Sequence, residues 1–287
     1  MAAIIIDGKV VSQKIKEELK KEVEYLKGKG IVPGLTVVLV GEDPASQVYV
    51  RMKEKASSEL GINSNIYRLK ENTSEEEIIS IIEQLNNDDS VHGILVQLPL
   101  PSKISEEKVM EKISPLKDVD GFHPINMGRL LRGDEVNLLP CTPSGIMELL
   151  HFYNIEMKSK NAVVVGRSNI VGKPVALLLL REHATVTLCH SRTRDLKETV
   201  KNGDIVIAAV GKAGIITGEM IKDGAVVIDV GVNKDNDKLS GDVKYEEVKE
   251  KASYITPVPG GVGPMTIAML LKNTITAAKN ITSKNYF

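Results

Sequence analysis

Short runs of β-branched residues alternate with amphipathic helical segments along this chain, and this alternation constrains the fold more than any other feature. Residues 12–27 carry apolar side chains at helical spacing, which predicts a helix that ends at Gly28 or Gly30. In the following residues we expect strands at 36–40, 66–69 and 93–98, and helices at 45–60 and 74–85. Strands that alternate with helices in this way form a mostly parallel sheet.

The second half of the chain resumes this rhythm after an irregular segment. Residues 114–142 are rich in Pro, Gly and Asp, which predicts loop and crossover. Thr142 and Pro143 supply an N-cap and a first-turn proline for a helix through about Tyr153. Beyond it we expect strands at 162–165, 185–189, 204–209 and 225–229, and helices from Pro174, near 195–201 and from Pro264. The sequence therefore predicts two α/β units joined near residue 142.

Composition and charge exclude several classes of protein. Lysine and arginine total 37 and aspartate and glutamate 38, so the chain lacks the basic excess of most nucleic-acid-binding domains and we expect no nucleic-acid partner. The longest apolar stretches are far shorter than the roughly 20 residues that a membrane helix needs. The two cysteines are too few for a disulfide framework or a multi-cysteine zinc site. We expect a cytoplasmic protein with no membrane association and no metal.

A glycine-bearing loop lies between the predicted strand 162–165 and the helix from Pro174. Its sequence is Gly166-Arg-Ser-Asn-Ile-Val-Gly-Lys-Pro174. In such a turn a dinucleotide pyrophosphate approaches the backbone closely and binds the N–H groups of the helix N-terminus. The match to G-x-G-x-x-G is imperfect because Ser168 replaces the second glycine, and the spacing also differs from a P-loop. A βα turn that binds no ligand is the competing interpretation.

The segment after the next predicted strand bears on the choice of dinucleotide. Strand 185–189 is followed by His190-Ser-Arg-Thr193, with no acidic residue before Asp195. NAD-binding proteins usually place an acid here to hold the ribose hydroxyls, whereas hydroxyls and cations suit the 2′-phosphate of NADP. The sequence therefore favours NADP over NAD, although Arg192 could also belong to a solvated basic loop.

Tyr49 and Lys53 lie four residues apart on the predicted helix 45–60, so they share one face. The buried face is expected to carry the aliphatic residues Val48, Met52, Ala56 and Leu60, with the Tyr–Lys pair at its edge. Short-chain dehydrogenases use the same spacing, but there it follows the glycine loop instead of preceding it. A packed tyrosine beside a surface lysine would explain the spacing as well.

Three further segments carry polar or rigid groups that are typical of sites. Gln97 is an amide in the apolar strand 93–98 and must find hydrogen-bond partners. Asp118 and Asp120 lie in a turn-rich loop, where catalytic and binding groups concentrate. Residues 256–264 form a stiff loop of prolines and glycines, which predicts the wall of a ligand slot or a plain helix entry with proline in the first position.

Six motifs spread over the whole chain occur in one fixed order. They are Tyr49-Val-Arg-Met-Lys53, Val96-Gln-Leu-Pro-Leu-Pro101, Lys117-Asp-Val-Asp-Gly-Phe-His123, Pro140-Cys-Thr-Pro-Ser-Gly145, Gly166-Arg-Ser-Asn-Ile-Val-Gly-Lys-Pro174 and Pro257-Val-Pro-Gly-Gly-Val-Gly-Pro-Met265. With these motifs the chain resembles the bifunctional methylenetetrahydrofolate dehydrogenase/cyclohydrolase family.

The resemblance implies a fold, a reaction and an assembly. It implies two α/β domains flanking a cleft: residues 1–141, completed by the C-terminal helix 265–287, would bind folate, and residues 142–264 would form a Rossmann-like NADP-binding domain. The enzyme would oxidise 5,10-methylenetetrahydrofolate by hydride transfer to NADP and hydrolyse the methenyl product to 10-formyltetrahydrofolate. Tetrahydrofolate one-carbon derivatives would be its small-molecule partners, and the chain would be a homodimer through the second domain.

The resemblance also implies a role for individual residues. Lys53 would be the central catalytic group, acting with Tyr49, Gln97 and Asp120. Tyr49 would stack on the folate, Gln97 would hydrogen-bond Lys53, and Asp120 would accept the N–H groups of the pterin. The other substrate-binding residues would be Val96, Leu98, Pro259, Gly260 and Gly261. The cofactor-binding residues would be Gly166, Arg167, Ser168, Ser191 and Val232.

Two alternatives remain open from the sequence. The first is a monofunctional NAD(P)-dependent dehydrogenase that releases the methenyl product without hydrolysing it. The second is a nonenzymatic module that binds a dinucleotide without turnover, which would leave Tyr49, Lys53, Gln97 and Asp120 unexplained.

Overall fold

The computed structural model describes residues 3–235 and 238–283 of the chain. Two compact units divide the fold. The three-stranded unit contains Ile15–Cys141 and the residues from Leu270 onward, and the six-stranded unit contains the residues up to Lys14 and Thr142–Met269. Each unit is an α/β structure around its own parallel sheet, which confirms the predicted fold class.

The regular elements follow the predicted alternation. The strands are β1 (Ile4–Ile5), β2 (Gly34–Val40), β3 (Asn63–Leu69), β4 (Gly93–Val96), β5 (Asn161–Val165), β6 (Thr185–Cys189), β7 (Ile205–Ala208), β8 (Val226–Asp229), β9 (Asn233–Asp235), β10 (Lys238–Ser240) and β11 (Tyr254–Ile255). The helices are α1 (Gly8–Gly28), α2 (Pro44–Leu60), α3 (Glu75–Asn86), α4 (Glu106–Glu111), α5 (Pro124–Arg132), α6 (Cys141–Phe152), α7 (Gly172–Arg181), α8 (Leu196–Lys201), α9 (Tyr245–Lys249) and α10 (Val262–Ser283). Across residues 3–235 and 238–283, no helix has the length and apolar character needed to cross a membrane.

β2 is the central strand of the three-stranded unit, with β3 and β4 paired parallel on either side. All seven residues of β2 are buried, as expected for a parallel strand covered on both faces. α3 begins after Ser74, whose hydroxyl accepts the backbone N–H of Glu77 at 3.2 Å, and it packs Ile78 and Ile82 into the core. These elements confirm the β-α-β-α-β order predicted for the first third of the chain.

The six-stranded sheet has the order β1-β11-β8-β7-β5-β6, and each pairing in it is parallel. Because β6 lies on one side of β5 and β7 on the other, the strand order reverses between β5 and β7. Ligands of open parallel sheets bind outside the carboxyl ends of the strands at such a reversal. The expected Rossmann-like arrangement is present, and the glycine loop after β5 lies at this position.

The first residues of the chain group with the six-stranded unit, whereas the sequence grouped them with the first domain. β1 pairs with β11 through Ile4–Tyr254 and Ile5–Ile255, and the Ile6 N–H donates to the Ile255 carbonyl at 2.8 Å. A strand of two residues carries too little periodicity to be found from the sequence. The chain therefore passes between the units near residues 14, 141 and 269.

Three helices begin earlier than predicted from the prolines that were expected to be their first residues. α6, α7 and α10 start at Cys141, Gly172 and Val262, so Pro143, Pro174 and Pro264 are third residues. The N–H groups of a first helical turn lack intrahelical acceptors, so a proline there removes no hydrogen bond. Thr142 lies inside α6 and is not its N-cap; its hydroxyl instead bonds the Thr266 hydroxyl at 2.9 Å.

The segment 114–142, expected to be irregular, contains helix α5. Its N-cap is His123, whose Nδ1 accepts the Ile125 N–H at 3.1 Å, and its C-cap is Gly133 with φ of 79°. A helix of nine residues that contains Gly128 gives a weak periodic signal, so proline and glycine dominated the prediction.

Candidate active site

Helix α2 carries Tyr49, which is exposed, and Lys53, which is half-buried. The helix begins after Asp43, whose carboxylate accepts the Ser46 N–H at 2.7 Å. Its buried residues are Ser46, Val50, Ala56, Ser57 and Leu60. The predicted buried face was wrong for Val48 and Met52, which are 48% and 49% exposed, because Val50 faces the core instead. Tyr49 is exposed beside them and presents an accessible aromatic ring.

Lys53 and Gln97 meet although 44 residues separate them in sequence. Lys53 Nζ donates to Gln97 Oε1 at 2.9 Å. Gln97 follows β4 and does not lie within the strand as expected. Its backbone N–H donates to the Val38 carbonyl at 2.9 Å, and its Nε2 donates to the Leu98 carbonyl at 2.7 Å. These bonds fix the amide so that its single acceptor oxygen faces the lysine.

Asp118 organises the loop that carries Asp120. Its buried carboxylate accepts the backbone N–H groups of Gly121, Phe122 and His123 at 3.1, 3.3 and 2.8 Å, and Asn126 Nδ2 at 3.0 Å. Burial raises the pKa of Asp118, and these hydrogen bonds oppose that rise. Asp118 is thus occupied by its own loop, which it holds in one conformation.

Asp120 is a titratable group of this loop that lies within electrostatic reach of the Lys53 ammonium. Burial raises the pKa of Asp120 to about 6, the Lys53 ammonium opposes this rise, and the charge of Asp118 adds to it. Gly121 follows with φ of 78°, and a Cβ there would lie 2.4 Å from the Leu139 carbonyl carbon, so the turn requires glycine. The structure therefore brings Lys53, Gln97 and Asp120 together.

Cys141 and Asn273 support the Asp120 loop from behind. The Cys141 N–H donates to the Asp120 carbonyl at 3.3 Å and its thiol to the Val119 carbonyl at 3.2 Å. Asn273 Nδ2 donates to the carbonyls of Val119 and Leu139 at 2.9 and 2.8 Å. Burial raises the pKa of the Cys141 thiol well above its usual value, and the Asp120 charge raises it further. Cys141 is therefore a packing residue and not a nucleophile.

The remaining substrate-binding candidates have different environments. Val96 is 1% exposed in the core of the three-stranded unit, so its side chain is not accessible to a ligand. Leu98 is half-buried against the same core. Pro259, Gly260 and Gly261 belong to the six-stranded unit. There the Gly260 carbonyl accepts the Gly8 N–H at 3.0 Å, which ties the loop to the first turn of α1.

The glycine loop after β5 is compact, and the Ser168 side chain within it bonds the backbone of the same loop. A Cβ on Gly166 would lie 2.0 Å from the Ala209 carbonyl oxygen, and one on Gly172 would lie 2.1 Å from the Gly166 oxygen. Ser168 Oγ accepts the N–H groups of Val171 and Gly172 at 3.1 and 3.3 Å. Ser168 thus shapes the turn into α7, while the Arg167 side chain is exposed.

The turn after β6 presents polar and basic groups to solvent. Thr193 Oγ1 accepts the His190 N–H at 2.9 Å, and His190 Nδ1 accepts the Arg192 N–H at 3.1 Å. Ser191 and Arg192 are exposed at the tip of this turn. Val232, which follows β8, is 54% exposed. All five cofactor-binding candidates therefore lie in loops at the carboxyl ends of β5, β6 and β8.

Three polar residues that shape these loops were not singled out from the sequence: Asp229, Asp242 and Asn273. Asp229 ends an apolar strand and Asn273 interrupts the apolar face of α10, so the criterion that identified Gln97 would also have found these two. Asp242 lies between Gly241 and Val243 and gives no such signal. Within residues 3–235 and 238–283, no group of three or more His, Cys, Asp or Glu side chains is placed to hold a metal ion.

Two domains of one known family together match most of this chain. Residues 6–120 match the catalytic domain of tetrahydrofolate dehydrogenase/cyclohydrolase, and residues 140–282 match its NAD(P)-binding domain. The chain is 59% identical over 279 residues to the bifunctional protein FolD of Halalkalibacterium halodurans, covering 97% of this chain and 100% of the relative.

Two solved structures are also similar. The bifunctional FolD methylenetetrahydrofolate dehydrogenase/cyclohydrolase of Campylobacter jejuni is 54% identical with a TM-score of 0.96, covering 97% of this chain and 99% of that one. The methylenetetrahydrofolate dehydrogenase-cyclohydrolase of Trypanosoma brucei, complexed with NADP cofactor and inhibitor, is 43% identical with a TM-score of 0.93 and covers 98% of each chain.

Proposed function

The chain belongs to the tetrahydrofolate dehydrogenase/cyclohydrolase family, and from this we propose how its own residues carry out the two reactions. The enzyme oxidises 5,10-methylenetetrahydrofolate to 5,10-methenyltetrahydrofolate with hydride transfer to NADP, then hydrolyses the product to 10-formyltetrahydrofolate. A dehydrogenase without the hydrolytic step is not favoured, because a relative that is 59% identical is bifunctional.

The hydrogen bond from Lys53 to Gln97, next to Asp120, is the observation that carries the proposal. A lysine, an amide and a carboxylate from separate parts of the chain meet within the segment matched to the catalytic domain. The lysine serves proton transfer, the amide orients it, and the carboxylate binds donors. A module that only bound a dinucleotide would have no use for such a group.

The six-stranded unit supplies the cofactor site. The glycines of the loop after β5 permit a pyrophosphate to approach the backbone where α7 begins. Arg167, Ser191 and Arg192 offer cations and a hydroxyl to a 2′-phosphate, and no carboxylate occupies the tip of the turn after β6. NADP supplies the hydride acceptor when it is bound. We assign Gly166, Ser168 and Val232 to its remaining contacts.

Lys53 is our candidate for proton transfer in the hydrolytic step. Water adds to the methenyl carbon and loses one proton, which leaves a hydroxyl on that carbon. The hydroxyl then loses its proton as the C=O bond forms, the bond from the carbon to N5 breaks and N5 gains a proton, so one proton is released overall. A lysine can serve these transfers in turn. The bond to Gln97 occupies one hydrogen of the lysine nitrogen, and the nitrogen keeps further positions for water and for the folate.

Asp120 and Tyr49 are our candidates for folate recognition. An ionised carboxylate only accepts hydrogen bonds, which matches the ring N–H and amino group of a pterin. The hydrogen bonds that Asp118 accepts from the loop backbone keep Asp120 in place. The exposed Tyr49 ring offers a flat surface for stacking. Leu98, Pro259, Gly260 and Gly261 remain substrate-binding proposals, and Val96 would contribute only through its backbone.

We also propose that the chain forms a homodimer through β6 and acts in the cytoplasm. β6 is an outer strand of its sheet, and Leu188 on it and Leu180 on α7 are 37% and 57% exposed. An edge strand with exposed apolar side chains is a surface for pairing with a second chain. Both cysteines are free and buried, in keeping with a reducing compartment.

Replacing Lys53 tests the catalytic assignment. In Lys53→Met we expect the hydrolysis of methenyltetrahydrofolate to slow at least about 100-fold, because general acid–base catalysis contributes roughly 10²–10⁴-fold. The rate of hydrolysis is measured as the loss of the near-ultraviolet absorbance of methenyltetrahydrofolate. Lys55→Met is the matched control, since the Lys55 side chain on the same helix is 80% exposed. Unchanged hydrolysis in a folded Lys53→Met protein would remove Lys53 from this role.

The pKa of Asp120 predicts an acid limb in the activity profile. Because the pKa is about 6 in the free protein, lowering the pH below this value protonates the carboxylate and removes acceptor capacity for the pterin. We expect kcat/KM for the folate substrate to fall by about tenfold per pH unit below pH 6. Asp120→Asn should be slower and lack this limb. A wild-type profile that stays flat to about pH 5 would contradict the assignment.

Arg167 tests the recognition of the 2′-phosphate. In Arg167→Ala we expect KM for NADP to rise about tenfold or more, as for loss of a charged hydrogen bond. NAD lacks the phosphate and serves as the control cofactor, so its KM should change little. Equal increases for the two cofactors would show that Arg167 contacts another part of the dinucleotide or only supports the loop.

The homodimer is tested at the edge strand. Light scattering should give the wild-type protein twice the mass of one chain, and Leu188→Glu should shift it towards the monomer because a charge is costly in an apolar interface. Leu131→Glu, at a 70% exposed leucine of the three-stranded unit, should leave the mass unchanged. A monomeric wild-type protein at assay concentrations refutes this proposal.

A further inference from the structure

Asp242 is a buried carboxylate that binds three consecutive backbone N–H groups. Its Oδ2 accepts from Val210 and Gly211 at 2.6 and 2.9 Å, and its Oδ1 accepts from Lys212 at 2.8 Å. Consecutive backbone N–H groups that converge in this way usually form a binding site for an anion. Here the anion is part of the protein itself.

The remaining acceptor capacity of Asp242 is used by Asn233. Asn233 Nδ2 donates to Asp242 Oδ1 at 3.0 Å, so four N–H donors surround a carboxylate that has about four acceptor positions. Asp242 is completely buried, and a Cβ on Gly231 would lie 2.1 Å from its Oδ1. Asp242 therefore has neither the exposure nor the free acceptors to bind a ligand directly.

The backbone around Asp242 is tied to the end of β8. The Asp229 carboxylate accepts the N–H groups of Asp242 and Val243, each at 2.9 Å, and that of Gly231 at 3.1 Å. The Asp229 N–H in turn donates to Thr256 Oγ1 at 2.7 Å, at the start of the 256–264 loop. One chain of hydrogen bonds thus joins the segments that follow β7, β8 and β11.

These segments border the cofactor-binding candidates. The residue before Val210 is Ala209, whose N–H donates to the Val165 carbonyl at 2.8 Å and whose carbonyl lies against Gly166. Asn233 directly follows Val232. The loop 210–212 begins at the carboxyl end of β7, beside the reversal of strand order where the dinucleotide is expected.

We propose that Asp242 is a positioning residue of the NADP site: its carboxylate holds loop 210–212 and Asn233 in the conformation that receives the dinucleotide. This inference rests on the proposed function and deepens it. Asp242 acts through the backbone of these loops and contacts neither substrate nor cofactor. Its loss therefore weakens NADP binding, while the hydrolytic step, which depends on Lys53 in the other unit, continues.

The test compares Asp242→Asn with a control from the opposite edge of the same sheet. An amide keeps one acceptor oxygen but turns an N–H₂ group towards backbone donors. We expect KM for NADP, and Kd for NADPH from its fluorescence, to rise at least about tenfold. The KM for methylenetetrahydrofolate and the hydrolysis of added methenyltetrahydrofolate should stay within about threefold of wild type.

Asp204→Asn is the matched control. Asp204 lies just before β7 and also accepts a backbone N–H, from Asn161 at 2.9 Å, as well as Lys222 Nζ. Its substitution should lower the unfolding temperature without changing KM for NADP. A milder second variant, Asn233→Ala, removes one hydrogen-bond donor to Asp242 and keeps the carboxylate. It should raise KM for NADP about threefold, and it can be measured even if Asp242→Asn does not fold.

Several outcomes would overturn the proposal. NADP affinity within twofold of wild type in folded Asp242→Asn, or in Asn233→Ala where Asp242→Asn does not fold, would make Asp242 a purely structural residue. Equal losses in both reactions would indicate general destabilisation. Wild-type protein that neither binds NADPH nor oxidises methylenetetrahydrofolate would refute the proposed function itself, so the two failures are distinguishable.

Discussion

A backbone N–H group in a buried loop needs an acceptor, and in this chain carboxylates meet that need in loops between the regular elements. Asp118 accepts three successive N–H groups in the loop between α4 and α5, and Asp242 accepts three in the loop beyond β7. Sheet and helix bonds cannot serve these residues, because the loops leave the regular elements there. Each unit therefore uses an internal carboxylate to shape a loop next to its candidate site, and the oxygens of both carboxylates are already bonded within the protein.

The sequence alone predicted an element correctly where the pattern of residues was long or depended only on neighbouring residues. The stripe of α1, the buried run of β2 and the N-cap of α3 each follow from neighbouring residues, and the structure contains all three. The contact between Lys53 and Gln97 could not be derived in that way, since it depends on how α2 packs beside β4. The resemblance to a known family implied this hydrogen bond, whereas the spacing of the two residues in the sequence did not. Likewise, β1 and β11 are two-residue strands that only tertiary pairing defines.

Net charge and site charge are separate quantities in this protein. Near-equal numbers of acidic and basic residues give no overall field for an anion, yet the six-stranded unit carries Arg167 and Arg192 in the loops where we propose that the cofactor phosphates bind. Two acidic residues of the same unit, Asp229 and Asp242, have their oxygens bonded to backbone N–H groups. Hydrogen-bonded carboxylates of this kind oppose a phosphate less than free ones would, because the N–H dipoles offset their charge.

Burial of both cysteines has a practical consequence. Cys141 and Cys189 are the two cysteines of the whole chain; Cys141 is 1% exposed and Cys189 is fully buried, and burial raises the pKa of each thiol. Thiol-directed reagents act on accessible thiolates, so the folded protein should resist them. A cysteine introduced at an exposed position would then be the single reactive thiol. The native chain is thus suited to site-specific attachment of a fluorophore or spin label without prior removal of its own cysteines.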